Sequence, residues 1–526
     1  MIRHIEIFLA LVLAFGLSAC AAEDRNRPGQ NGDQDAAAAD ADADGDGDGD
    51  ADGDSDSSLE YDAGGDGNMD PCTNLGTTNQ GCEFWAVDLP NVTVAPLTVK
   101  PQDQQFAVVV ANTSADKPAK VSIYLGADIN PSVSNTVPVD GIVTFKLPSQ
   151  NIKPGATTDD GVAYRIRSDV PITAYQFNPL DNTNPVYSND ASLLFPIQVL
   201  SKDYTAITGS ANLVSADAFS ASALNTGGFV SVVATQDQTT VTIYPTKALY
   251  PGPYQNVILS RGQVLTAIAS GKKGEGNLSG TRVAADKPVA VFGGSVATSE
   301  PTNTTKCCAD HVEHQMLPLE AWGSTYTVAP AAAPKGGDHA SLLRISAAYD
   351  GTTLTYSPSA PTGAPTTLGA YQTAEVLTDQ PFTVTSNDPD KAFSVTQFLL
   401  SGGYFPLDSS LGDPSMMVLP AQDQFEKEYV FLVPLGYTYN YVTIVRPAGA
   451  AVTLDNAAVT ATFSALGTAN SINYEYAHIK LKAGHHRIVS DDKLAITVVG
   501  YSTNVSYGYP GGSGVKHIVT PPPPPQ

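Results

Sequence analysis

From Pro71 onward the chain is written in short apolar runs bounded by turn residues. "FAVVVAN", "TTVTIYP", "TTLTYSP", "YVFLVP" and "YVTIVRP" are rich in Val, Thr, Ile and Tyr. Few windows show the spacing of a helix face, so the pattern predicts strands. The runs recur in order. A first apolar strand is predicted at Phe106–Ala111, Phe229–Ala234, Leu342–Ala347 and Tyr441–Val445. A second follows at Val121–Tyr124, Val241–Tyr244, Leu354–Tyr356 and Val452–Leu454. Weaker strands come next, usually around a glycine (Gly141, Gly262, Gly369). Each unit then reaches a common phrase: "RIRSDVPITAYQFN" from Arg165, "RVAADKPVAVFGGS" from Arg282, "TVTSNDPDKAFSVTQF" from Thr383 and "RIVSDDKLAITVVGY" from Arg487. Its local pattern is strand, Asp-containing turn, strand. That predicts a β-hairpin turning at Asp169, Asp286, Asp388 and Asp491, because Asp side chains accept from backbone N–H groups in turns. Pro171 and Pro288 suit a turn or an edge position and exclude a central strand.

Three units end in a proline-led segment and a tyrosine strand. Pro196 leads to Tyr204, Pro318 to Tyr326 and Pro420 to Tyr429, and Asp190, Asp310 and Asp413 lie shortly before the prolines. The last unit lacks this segment and stops at "SYGYPGG". About seven strands in roughly 100 residues fit a β-sandwich. The expected fold is therefore all-β, a tandem array of four sandwich-like repeats. A β-propeller-like closed arrangement is the rival, although a blade of four strands needs only about 40–50 residues. The boundaries expected are 71–218, 219–335, 336–435 and 436–518, with a Pro-rich tail at 519–526.

The N-terminus changes the picture. "MIRHIEIFLALVLAFGLSAC" has an apolar run too short to span a bilayer and of signal-peptide length. "LSAC" resembles a bacterial lipobox, so residues 1–19 read as a lipoprotein signal peptide and Cys20 as the lipidated residue. Residues 20–70 are dominated by Asp, Ala and Gly and cannot bury enough apolar surface to fold. They read as a tether. An EF-hand reading of "DADGDG" fails, because no register places Glu at the twelfth position. The tether holds most of the formal charge of −25, and the mildly acidic body argues against nucleic acid. The expected location is the bacterial outer membrane or cell surface, with the membrane reached through the lipid.

Four stretches, "GCEFWAVDLPN" at Gly81, "CCADHVEHQMLP" at Cys307, "DGTTLTYSP" at Asp350 and "SYGYPGG" at Ser506, carry a resemblance to the IgGFc-binding protein N-terminal domain family. It spans nearly the whole body. What it implies is a surface or extracellular binding module, with no catalytic residues to carry over.

"CCADHVEH" concentrates the candidate chemistry. Cys307, Cys308, His311 and His314 offer two thiolates and two imidazoles to a metal, but an exported cysteine is more often oxidised. Cys72, Cys82, Cys307 and Cys308 are disulfide candidates with three possible pairings. Asp190, Asp310 and Asp413 could be an acid/base set, yet recurrence in three units points to architecture, as caps of turns. His485 and His486 read as a solvated strand edge. Trp85, Trp322 and the 23 tyrosines read mainly as core. No cofactor and no enzymatic activity are expected. The functional expectation is a lipid-anchored binding or adhesion protein for a protein or glycan partner. The alternatives are a secreted hydrolase or metal-dependent enzyme on a β scaffold, and a structural envelope protein.

Overall fold

The computed structural model describes residues 71–522, apart from 93–99, 157–160, 181–187, 212–226, 270–273, 303, 305, 307, 405–409 and 517. The signal segment, Cys20, the tether and Cys307 therefore lie outside the described residues. What is described is all-β, with only single turns of 3-10 helix between strands.

The repeat is plain in the strand order. Each of four copies has an inner strand where the first apolar run was expected: Phe106–Asn112, Gly228–Ala234, Ser341–Ala347 and Tyr439–Pro447. Each has a second strand at Ala119–Leu125, Thr239–Tyr244, Thr352–Ser357 and Val452–Leu454.

The phrase, however, is not a hairpin. In copies 1, 2 and 4 it is one long crossing strand, Tyr164–Asn178, Arg282–Thr298 and Gly484–Ser502. In copy 3 it is broken into Phe382–Ser386 and Phe393–Phe398. Its halves never pair with each other. The first half pairs with the second strand of its copy. The second half pairs with the inner strand. The phrase thus passes from one sheet to the other. In copy 3 these are two separate four-stranded sheets whose apolar faces share one core, with Leu354 and Val384 from one sheet and Leu343, Ile345 and Val395 from the other.

The aspartates mark the crossing. Instead of closing a turn of their own strand, three of them cap the second strand beside it. Asp169 accepts the Lys120 N–H (2.7 Å), Asp286 the Thr240 N–H (2.8 Å) and Asp491 the Ala451 N–H (2.8 Å). Asp388, in the broken copy, accepts the Asp390 N–H at 3.0 Å. Pro171 and Pro288 sit where the strand has left one ladder and not yet joined the next, so their missing N–H costs no bond.

The tyrosine strands also differ from expectation. Ser201–Thr205 pairs with the crossing strand of copy 2, Thr325–Val328 with that of copy 3 and Glu426–Val433 with that of copy 4. Each is an entry strand for the copy that follows. In copy 1, Gly81–Ala86 fills this position. Three entry strands carry the same latch. Tyr204 donates to the Val289 carbonyl (2.7 Å) and accepts the Ser201 N–H (2.9 Å). Tyr326 does so with Phe393 (2.7 Å) and Gly323 (3.2 Å), and Tyr429 with Leu494 (2.7 Å) and Glu426 (3.0 Å). The three rings are buried, so each hydroxyl satisfies two backbone groups that water cannot reach.

A closing strand ends each copy: Asp190–Leu193, Asp310–Gln315, Met416–Val418 and Val505–Pro510. "SYGYPGG" is thus the fourth copy's closing strand. These strands pack in a cycle, copy 1 against copies 2 and 4, and copy 3 against the same two. The copies therefore close on one another. The seam between copies 4 and 1 is sealed by Asn79 N–H to Ser513 O (3.0 Å), Val515 N–H to Thr77 O (2.6 Å) and Tyr175 Oη to Gly511 O (2.6 Å). Between copies 1 and 2, Gly262 (φ +79) approaches so closely that a Cβ would lie 2.6 Å from the Gly126 Cα. Apolar packing runs across the joins: core residues of copies 1, 2 and 4 form one continuous cluster.

Candidate functional site: a buried acidic hub

Closure brings the recurring aspartates together. Asp190 begins the closing strand of copy 1, Asp310 that of copy 2, and Asp413 lies three residues before the start of that of copy 3. All three are fully buried. In copy 4 the corresponding group is the Ser506 hydroxyl, which accepts the Asp413 N–H at 2.9 Å.

Asp190 ties three copies. Its carboxyl accepts from Ala191 N–H (2.9 Å) in its own copy, Glu313 N–H (3.1 Å) in copy 2, and both Met416 N–H (3.0 Å) and Ser415 Oγ (2.6 Å) in copy 3. Burial pushes its pKa well up, and the four donors oppose that rise. Asp310 and Asp413 face each other, and burial raises both. Asp310 Oδ2 and both oxygens of Asp413 find no ordinary donor.

Next to the hub, Glu313 accepts from Gln176 Nε2 (2.9 Å) and Asn178 Nδ2 (3.3 Å) and meets His311 Nε2 at 3.0 Å. Burial raises Glu313 and drives His311 down to about 3. The His311 ring stacks on Phe229. Asp88, also raised by burial, holds the turn at Ser149–Asn151 through Ser149 Oγ (2.5 Å), Gln150 N–H (2.7 Å) and Asn151 N–H (3.1 Å).

The candidate metal set does not assemble among the described residues. His311 and His314 are three residues apart on one strand, so their side chains leave opposite faces. His314 Nδ1 bonds the Gln315 carbonyl (2.7 Å), and burial lowers it to about 4. Cys308 is in a disulfide whose partner lies outside the described residues. Among the described residues, no group of three or more His, Cys, Asp or Glu side chains is placed to hold a metal ion. Cys72 and Cys82 form a disulfide. Of the histidine pair expected at a wet edge, His485 is exposed. His486 is buried against Phe431, with Nδ1 2.8 Å from Asp455 Oδ2, because the entry strand of copy 4 covers it. Trp85 and Trp322 are core.

A second polar cluster escaped the sequence reading. At the join of copies 3 and 4, Thr443 Oγ1 lies 2.8 Å from His478 Nδ1, and His478 Nε2 lies 3.0 Å from Asp338 Oδ1. Tyr476 donates to Asp338 Oδ2 at 2.7 Å. Burial lowers the His478 pKa, against the pull of Asp338, and so favours a neutral ring. Thr443 is only 3% exposed, and the cleft it shares with Thr327, Gln397 and Thr497 measures about 20 Å³, room for about one water.

Tandem β-sandwich copies, closed around a polar centre and laced by exchanged strands, define the class of protein. A family model described as IgGFc binding protein matches residues 190–500, more than half of the sequence. The chain belongs to that family. No curated relative matches it. Among solved structures, the anti-sigma factor domain-containing protein from Clostridium clariflavum aligns at 9% identity over 77% of this chain and 99% of its own, with a TM-score of 0.10 that carries no argument.

Proposed function

We propose that the protein is a lipid-anchored binding or adhesion protein of the bacterial outer membrane or cell surface, whose head engages a protein or glycan. Family membership over residues 190–500 carries this reading. Part of the head's charged chemistry, Asp190, Asp310, Glu313 and Asp413 among it, is buried where the copies meet, and rims and loops remain for recognition. Repeated copies raise avidity through several modest contacts. The test has two arms. Radiolabelled fatty acid should enter the wild type and not Cys20→Ala. The purified chain should retain a partner from envelope, matrix or glycan fractions. Retention of none, with an envelope defect in cells lacking the protein, overturns the binding role in favour of a structural one.

A further inference from the structure

The centre of the ring poses an electrostatic problem. Asp310 and Asp413 come from different copies, are fully buried and face each other. Three of their four carboxyl oxygens find no well-aligned donor, although the Ser506 hydroxyl lies against Asp413 and the Ser188 hydroxyl against Asp310. Two carboxylates that face each other in a dry interior cannot both stay ionised, since a lone buried charge there already costs several kcal/mol.

Among the described residues the surroundings supply no counter-charge. Asp190 of copy 1 faces the pair but spends its oxygens on four donors. From copy 4, Ser506 takes the Asp413 N–H, and the Tyr437 hydroxyl sits near both carboxyls, bonded by Asn189 Nδ2. Ser188 takes the His311 N–H (3.1 Å) beside Asp310. Glu313, His311 and Asp88 lie on the flank of the hub, with His311 neutral. All these groups are carboxyls, hydroxyls, an amide and an uncharged ring.

We propose that Asp310 and Asp413 hold one proton between them, and that this shared proton locks copies 2 and 3 together at the centre of the closed ring. Asp310 carries it and donates to Asp413. Its loss would set two negative charges against each other beside Asp190, so the lock loosens on the alkaline side. The sign follows from linkage. A group that keeps its proton in the folded state above its unfolded pKa stabilises the fold at low pH, and that contribution is lost as pH rises through the folded value. A carboxyl pair of this kind titrates as a unit.

The experiment uses the full chain. Urea unfolding is followed from pH 6 to pH 9, below the range where tyrosines titrate, for wild type, Asp310→Asn and Asp413→Asn. The wild-type folding constant is expected to fall with pH, by up to about tenfold per unit for one proton. Either asparagine removes the shared proton and should flatten the profile by that one-proton slope, leaving the contribution of Glu313 in place. Infrared difference spectra give a second readout that needs no stable variant at high pH. At neutral pH the wild type should show a stronger protonated carboxylic-acid carbonyl band than Asp310→Asn, in which Glu313 and Asp190 alone remain to supply it. An identical pH slope in wild type and Asp310→Asn, or an unchanged acid band, would overturn the proposal. So would a stoichiometric divalent cation in the purified wild type, since the charge would then be met by metal.

Discussion

In copies 2, 3 and 4 the entry strand carries a tyrosine whose hydroxyl is clamped between its own backbone and the crossing strand. In copy 1 the same position is Phe84, which pairs with Ile166 as Tyr204 pairs with Val283, Tyr326 with Val384 and Tyr429 with Ile488. Phe84 is as deeply buried but has no hydroxyl. Beside it is a feature the other entry strands lack, the Cys72–Cys82 bridge. The difference follows from connectivity. Later entry strands are anchored at both ends, by the copy that precedes them and the copy they join. Among the described residues no copy precedes the first, and a covalent loop stands where the others have a preceding copy. An entry strand needs pinning at the crossing, and a hydrogen-bonded hydroxyl or a short covalent loop both serve.

The comparison can be broken most strongly with acid, because copy 2 alone carries histidines in its closing strand. His311 and His314 are held neutral, near 3 and 4, by burial. Their folded values lie below the unfolded one. Their contribution is therefore complete above about pH 6.5 and is lost as pH falls, at about 1.4 kcal/mol per unit for each histidine. Hydrogen exchange at pH 5 should open the closing strand of copy 2 before those of copies 3 and 4. Uniform opening would show that the copies do not differ in this respect.

The next largest effect is expected from Cys72→Ser with Cys82→Ser. Opening so short a loop costs about 2–3 kcal/mol. Protection should fall in Gly81–Ala86 and not in Ser201–Thr205. Tyr204→Phe, Tyr326→Phe and Tyr429→Phe should each cost about 1–2 kcal/mol in urea unfolding, since a buried carbonyl and N–H lose their partner. A cost near zero in all three would make the latch ornamental. The smallest effect sharpens the equivalence. In the disulfide-free background, Phe84→Tyr should recover up to about 1 kcal/mol by reaching the carbonyl of Ile172, which sits opposite Gly81 as Val289 sits opposite Ser201. Further destabilisation would mean that copy 1 crosses differently.

Much of this was legible in the residues. Inner and second strands fall where alternating Val, Ile and Thr predicted them, and the recurrence of the phrase revealed the copies. The hairpin reading failed because a tight turn and a passage between two sheets share one local spelling: apolar run, Asp or Asp-Pro, apolar run. Only distant partners separate them, and the Lys120 and Thr240 amides that Asp169 and Asp286 accept lie about 50 residues away. Tyr204, Tyr326 and Tyr429 were visible as a register, but their hydrogen bonds cross into the next copy. Asp190, Asp310 and Asp413 were visible as a recurring position and read as caps of turns, whereas the structure buries all three at or just before the closing strands. Their convergence was hidden, since the fourth position is Ser506 and no residue-type pattern links a serine to three aspartates. Thr443, His478 and Asp338 come from three separate strands, one of them in another copy, and share no motif.

The bridge between Cys72 and Cys82 also sets a load path. A pull on the chain ahead of Cys72 travels through sulfur directly to Cys82, the second residue of the first entry strand. It bypasses residues 73–81, where Thr77 and Asn79 stitch the seam to Val515 and Ser513. Tension at this end would thus be borne by a strand set into a sheet, while the stitches that keep the ring shut carry none of it.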